Sequence, residues 1–244
     1  MERVNILGVE IDNLDLEGAL ARIDRFIAEG KPRLVVTANP EMIMLAGKDR
    51  TFRECFRQAG MVTADGIGVV VAAKLLGMPL KQRVTGIDLV TELFRRAARK
   101  GYTLYFAGAR PGIAEKAAEN VRQGFPGIKI TGTHHGYFQD DRDIIDDIMK
   151  KKPDILLAAM GMGRQEKWIM DRVIKTGVPV SIGVGGSFDI LAGEARRAPA
   201  WMRKAGLEWF YRLINQPARF GRMLELPKFL GAVLACRQKL PEKK

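Results

Sequence analysis

The sequence predicts an α/β fold built on a mainly parallel sheet with helices on both faces, and three observations predict it. Short runs rich in β-branched residues alternate with segments of 3.6-residue apolar period along most of the chain. Three of the runs end in glycine-marked turns, Gly108-Ala109-Arg110-Pro111-Gly112, Gly161-Met162-Gly163-Arg164-Gln165 and Gly183-Val184-Gly185-Gly186-Ser187, as strands do where they hand over to helices in a doubly wound sheet. The 244 residues carry no repeat or low-complexity tract and suffice for one large domain with an appendage. The expectation is a Rossmann-like α/β core over 1–195, subdivided near 84/85, and a basic helical appendage over 196–244.

Residues Val4 to Ile11 alternate as a strand does, and Asp15 caps a helix whose apolar positions Leu16, Ala19, Leu20, Ile23, Phe26 and Ile27 share a face before Gly30. Arg33 to Thr37 reads as a second strand, after which Ala38-Asn39-Pro40 turns the chain into a helix that accepts proline in its first turn. A helix with Phe52, Cys55, Phe56 and Ala59 on one face stops at Gly60 and leads into the strand Val62 to Asp65. Helix Gly68 to Leu76 follows, and Gly77 to Val84 is a polar connection that carries Arg83. From Thr85 the pattern runs helix (88–100), strand (102–107), helix (111–123), strand (128–131), helix (140–151), strand (154–160), helix (165–175), strand (178–183) and a short helix from Ser187.

Charge is concentrated at one end. The net charge is +12, and from Arg196 to Lys244 twelve Lys or Arg face three Glu, which predicts an anionic partner there. Trp201, Trp209, Phe210, Tyr211, Phe220 and Phe229 interleave with Arg203, Lys204, Arg212, Arg219 and Arg222, a composition that fits an interfacial helix on anionic lipid, a nucleic-acid surface, or a segment folded back as core. Pro199, Pro217 and Pro227 cut the tail into short pieces, which suits a surface better than a nucleic-acid groove. The start lacks the pattern of a signal peptide and no run of about 18 apolar residues occurs, so a cytoplasmic protein is expected. Cys55 and Cys236, far apart and without Cys or His at ligand spacing, predict neither a disulfide framework nor a zinc site.

The chemistry-bearing residues cluster at strand ends. Asp65 reads equally as a cap for the following helix and as a general base, and Thr37 and Asn39 read as turn formers before Pro40 or as ligand contacts. Each glycine turn alone is compatible with a plain turn, yet three together favour a nucleotide or sugar-phosphate ligand held by backbone amides. Neither the G-x-G-x-x-G fingerprint nor the P-loop is present, which disfavours a nucleotide-dependent oxidoreductase. The pair His134-His135 has no third ligand at useful spacing, and Asp141-Arg142-Asp143 reads as acidic placement at a helix start, so no metal site is expected.

The motifs Thr37-Ala38-Asn39-Pro40, Thr63-Ala64-Asp65-Gly66, Arg83-Val84-Thr85-Gly86, Gly136-Tyr137-Phe138, Gly161 to Trp168, Gly183 to Asp189, Arg196-Arg197-Ala198-Pro199 and Gly206-Leu207-Glu208-Trp209 occur in order along the chain. In these the sequence resembles the WecG/TagA/CpsF family of bacterial glycosyltransferases, most closely its teichoic-acid linkage-unit branch. Met162-Gly163-Arg164 departs from the family pattern, which has proline and lysine before the glutamine. The resemblance implies an inverting, metal-free transfer of N-acetylmannosamine from its UDP donor to the C4 hydroxyl of GlcNAc-diphospho-undecaprenol. The alternative is a family transferase that uses UDP-ManNAcA or another UDP-hexose. It implies Asp65 as base with Thr37, Asn39 and Arg83 beside it, and an acceptor-handling part over 1–84. Gly108, Arg110, Tyr137, Gln165, Gly185, Gly186 and Asp189 would hold the donor, and Arg212, Arg219 and Arg222 would meet the leaving group, lipid diphosphate and membrane. No cofactor and no nucleic-acid partner are expected, a homo-oligomer is allowed, and the enzyme would sit peripherally on the inner face of the cell membrane.

Overall fold

The computed structural model describes residues 2–215, 221 and 225–237. Strands β3 (Arg33–Ala38), β4 (Met61–Ala64), β5 (Thr103–Gly108), β6 (Lys129–His134), β7 (Ile155–Ala159) and β8 (Val180–Gly183) form a six-stranded sheet in the order β4-β3-β8-β7-β5-β6. Every pairing in it is parallel. Such a sheet needs crossover helices on both faces, which is why its strands read as nearly unbroken apolar runs.

The period-two geometry of the strands sorts their side chains into two cores. Leu34, Val36, Val62, Leu156 and Ala158 pack on one face with α2 (Pro40–Lys48), α3 (Arg50–Gln58), α4 (Ile67–Leu75), α7 (Arg142–Lys151) and α8 (Arg164–Asp171). Val35, Met61, Phe106, Leu157 and Ile182 pack on the other with α1 (Leu16–Glu29), α5 (Gly86–Lys100), α6 (Ile113–Gly124) and α9 (Ser187–Leu191). The helix expected over 165–175 is broken: α8 ends at Asp171 and Val173–Thr176 continues as a 3-10 turn.

The first strand of the sequence reading is two strands. β1 (Arg3–Ile6) and β2 (Val9–Asp12) form an antiparallel hairpin whose turn residues Leu7 and Gly8 both take positive φ, 51° and 86°. That geometry matches the twist of a two-residue hairpin, and a leucine in it hides the turn from composition. The hairpin delivers Asp12, whose side chain is fully buried. Its carboxylate accepts from the Val62 amide at 2.8 Å and pairs with Arg3 at 3.0 Å and Arg22 at 2.8 Å. A buried carboxylate at the edge of β4 thus takes the place of a neighbouring strand's carbonyl and is itself paired, as burial requires.

The basic tail is not one kind of segment. After α10 (Ala200–Lys204) and α11 (Glu208–Asn215), helix α12 (Glu225–Arg237) lies against α2 and α4 and buries Phe229 and Val233 completely. Leu226 lies so close to Gly68 that an added Cβ there would come within 2.7 Å of it. Pro227, expected to divide the tail, sits in the first turn of α12, where proline is tolerated. By contrast α10 and α11 leave Trp201, Phe210 and Ile214 exposed. Among the described residues no helix is long and apolar enough to cross a membrane.

Candidate active site

Asp65 stands immediately after β4, its amide donating to the Ala38 carbonyl at the end of β3 at 2.7 Å. The Val84 amide donates to the Ala64 carbonyl and the Thr63 hydroxyl donates to the Val84 carbonyl, so the polar connection runs along the end of β4 and brings the start of α5 there. The Gly86 amide then donates to Asp65 Oδ2 at 3.1 Å. The helix after Asp65 is capped by Gly66, at φ 102° and without a side-chain bond, so Asp65 does not cap α4. Its carboxylate serves the first turn of α5 instead, where exposed amides favour negative charge. Thr37 on β3 pairs in register with Thr63 on β4, and a Cβ added at Gly86 would lie 3.1 Å from Thr37 Oγ1 and 3.6 Å from Asp65 Oδ2. Glycine at that point lets the helix approach both side chains.

Asn39 is the N-cap of α2, its Oδ1 accepting from the Met42 amide at 3.0 Å. The turn role is therefore real, and it fixes the side chain at the mouth of the same cleft. Thr85 caps α5 by accepting from the Asp88 amide, and its hydroxyl donates to Asp88 Oδ2 at 2.6 Å. Arg197 Nη1 donates to Asp88 Oδ1 at 2.6 Å and its Nε reaches Glu208 at 3.4 Å. Burial opposes the charge on Asp88, but the Arg197 and Thr85 bonds outweigh it and hold its carboxyl below the usual 3.8. These pairs fasten the chain before α10 to the first turn of α5.

On the β7–β8 flank, Gln165 and Glu166 are nearly inaccessible. The Gly163 amide donates to Glu166 Oε2 at 2.8 Å, Gln165 Nε2 donates to Glu166 Oε1 at 2.7 Å, and the Gly185 amide donates to Gln165 Oε1 at 3.1 Å. Burial pushes the Glu166 carboxyl above its ordinary 4.5 despite those donors. At Gly183 a Cβ would fall 2.6 Å from Gln165 Nε2 and 2.7 Å from Glu166 Oε1, so only glycine lets β8 pass this pair.

These flanks enclose a cleft of about 190 Å3 at the carboxyl edge of the sheet. It gathers Thr37, Asn39, Asp65, Gln165, Gly185, Gly186 and Asp189 from the residues the sequence singles out. It also takes in Glu41, Thr85, Gly86, Ser187 and Arg196, to which the sequence reading gives no role although Thr85, Gly86, Ser187 and Arg196 fall within its motifs.

Four predicted residues stand elsewhere. Arg83 is not in the lining, and its Nη2 donates to the Arg203 carbonyl at 3.2 Å, tying the loop to α10. Gly108 (φ 133°) lies against β7, where a Cβ would meet the Ala159 carbonyl oxygen at 2.4 Å, so its glycine serves strand packing. Arg110 is exposed on the turn after β5, and Tyr137, 68% exposed, follows β6. β5 is separated from β8 by β7, and β6 lies beyond it, which puts their ends about 10 and 14 Å from the β8 end of the cleft. The side chain of Arg212 and all of Arg219 and Arg222 lie outside the described residues.

The remaining motifs have local duties. His134 Nδ1 contacts the His135 carbonyl, and the Tyr137 amide donates to His135 Nδ1 at 3.2 Å. Asp141 accepts from Trp168 Nε1 at 3.0 Å and from Arg172 Nε at 2.8 Å, linking α7 to α8. Both cysteines are free thiols, and burial pushes Cys55 up to about 11.

Comparison with known proteins gives the arrangement its context. The model of the Glycosyl transferase WecG/TagA/CpsF family matches residues 4–244. A Bacillus spizizenii (strain W23) protein named N-acetylglucosaminyldiphosphoundecaprenol N-acetyl-beta-D-mannosaminyltransferase is 38% identical over 209 residues, covering 86% of this chain and 81% of its own length. Proteins of the same name from Bacillus subtilis (strain 168) and Staphylococcus aureus (strain MW2) are each 34% identical, covering 96% and 99% of this chain and 92% and 96% of their own lengths.

Proposed function

The chain belongs to the WecG/TagA/CpsF glycosyltransferase family, and from that premise we propose that it transfers N-acetylmannosamine from UDP-ManNAc to the C4 hydroxyl of GlcNAc-diphospho-undecaprenol. The names of its relatives support the transferred sugar and the lipid-linked acceptor. The observation that carries the reading for this chain is the meeting of Asp65, Thr37 and Asn39 with the Gly183–Asp189 segment in one cleft.

In the proposed step the acceptor oxygen forms a bond to the anomeric carbon as the bond from that carbon to the diphosphate breaks. The electron pair leaves with UDP, and the acceptor's hydroxyl proton passes to Asp65. A base at a fixed strand end beside the attacking hydroxyl is what such a displacement requires, and attack opposite the leaving group inverts the configuration. Thr37 and Asn39 orient the sugars, and Gln165 acts through Gly185 by holding the donor-side turn in shape.

The transfer takes its leaving-group stabilisation from cations and amides rather than a metal, so turnover should persist in a chelator. The basic segment from Arg196, with Trp201, Phe210 and Ile214 outward on α10 and α11, docks the enzyme peripherally on the inner face of the cell membrane, where arginines such as Arg212, Arg219 and Arg222 meet phosphates. The test is to incubate the full chain with radiolabelled UDP-sugars and a short-chain prenyl-diphosphate GlcNAc. Label moving from UDP-ManNAc alone is the expected result; label moving only from another UDP-sugar, or not at all, would overturn the reading.

A further inference from the structure

We propose that Arg196 binds the diphosphate of the nucleotide-sugar donor and neutralises it as it departs; the inference rests on the glycosyl-transfer reading above. Arg196 is the only cationic residue among the described residues that line the cleft, whose other ionisable lining groups are the carboxylates Glu41, Asp65 and Asp189. A guanidinium at the wall supplies positive charge and a fork of donors to a diphosphate brought into this cleft. Arg83, the arginine beside the Thr85-Gly86 turn, is bound to the Arg203 carbonyl and does not line the cleft.

The backbone that carries Arg196 is fixed on both sides. Before it, the Glu194 and Ala195 amides donate to the Asp189 carbonyl at 2.8 and 3.0 Å, closing the turn after α9. After it, Arg197 is clamped between Asp88 and Glu208, and Ala198 is buried. The Arg196 side chain is exposed and makes no hydrogen bond or ion pair with any described residue. Adjacent arginines thus divide the work. Arg197 holds the chain in place, and Arg196 presents a guanidinium whose fork of donors matches phosphate oxygens, with part of its ordering cost already met by the anchored backbone.

Diphosphate is also present in the lipid acceptor, so the test separates the two sources. Full-length wild-type, Arg196→Gln and Arg196→Lys proteins are titrated calorimetrically with UDP and with uridine, and the KM for donor and for lipid acceptor is measured on each. Arg196→Gln is expected to weaken UDP about 10- to 100-fold, leave uridine binding and the acceptor KM within about twofold, and keep the thermal midpoint. Arg196→Lys should recover part of the loss, since an ammonium retains the charge without the fork. Unchanged UDP affinity in Arg196→Gln would overturn the inference, and so would a loss confined to the acceptor KM, which would assign the residue to the lipid diphosphate. Wild-type protein that neither binds UDP nor transfers sugar would overturn the donor reading itself, a result distinct from both.

Discussion

On the β3–β4 flank of the cleft, Asp65 and Thr37 reach strand ends where a glycine helix start leaves room beside them. On the β7–β8 flank, Gln165 and Glu166 occupy the equivalent position but spend their polar atoms on Gly163, Gly185 and each other. Both flanks place polar side chains at the carboxyl edge of a parallel sheet, the usual location for a ligand. What separates them is the neighbouring loop. Where it presents glycine, as at Gly86, a helix start packs close beside the strand-end side chains that line the cleft; where it must be held in a tight turn, the side chains become scaffold.

Changes on the two flanks should therefore differ in kind. The largest expected effect is on the support behind the β3–β4 flank, where α12 presses on α2 and α4. Phe229→Ala should cost about 3–5 kcal/mol in chemical denaturation, and an unchanged midpoint would mean that α12 is a detachable appendage. Gly183→Ala, which pushes a methyl into the buried Gln165–Glu166 pair, should cost about 1–3 kcal/mol in chemical denaturation.

Gly86→Ala reverses that pattern. Its φ is not positive and alanine suits a first helical turn, so the thermal midpoint should hold, while a Cβ pressed on Thr37 and facing Asp65 should lower kcat about tenfold. A fall in stability without a fall in kcat would erase the distinction between the flanks.

The pH dependence of stability sharpens it further. Glu166 has a raised carboxyl, so between 4.5 and its folded value the native state holds a proton that the unfolded chain releases, and stability declines as pH rises through that window. Asp88 has a lowered one, so its contribution is present above 3.8 and is lost as pH falls through its folded value. Glu166→Gln should flatten the decline on the higher-pH side and leave the acid limb in place; Asp88→Asn should do the opposite. Denaturation midpoints measured across pH would show either limb. The smallest effects belong to the far side of the sheet, where Tyr137→Ala and Arg110→Ala should leave kcat/KM within about twofold of wild type, as their strand positions require.

The alternation of strands and helices and the strand-end positions of Thr37, Asn39 and Asp65 were legible because apolar period and glycine turns are local signals. Strand order is not local. Gly108 and Arg110 belong to a glycine-marked turn as Gly183–Ser187 does, but β7 intervenes between β5 and β8, and of the two turns only the second lines the cleft. The hairpin turn was hidden because Leu7 takes a conformation that leucine seldom adopts. Asp12 was missed because its importance lies in long-range partners, Val62 and Arg22. The charge run of the tail showed basic character correctly but could not show that Phe229 and Val233 face inward while Trp201 faces out. Arg196 and Arg197 are adjacent in sequence, and only the fold distinguishes the anchored arginine from the one in the cleft.

The central claim is that Asp65 is the base of the transfer, and Asp65→Asn tests it most directly. The substitution keeps an acceptor oxygen for the Gly86 amide and removes the carboxylate that takes the proton. Single-turnover transfer from labelled UDP-ManNAc should fall by about 10²- to 10⁴-fold while UDP affinity and the thermal midpoint stay near wild type. Transfer at a near-normal rate in a folded, UDP-binding Asp65→Asn protein would contradict the account and leave Asp65 with a structural role at the start of α5.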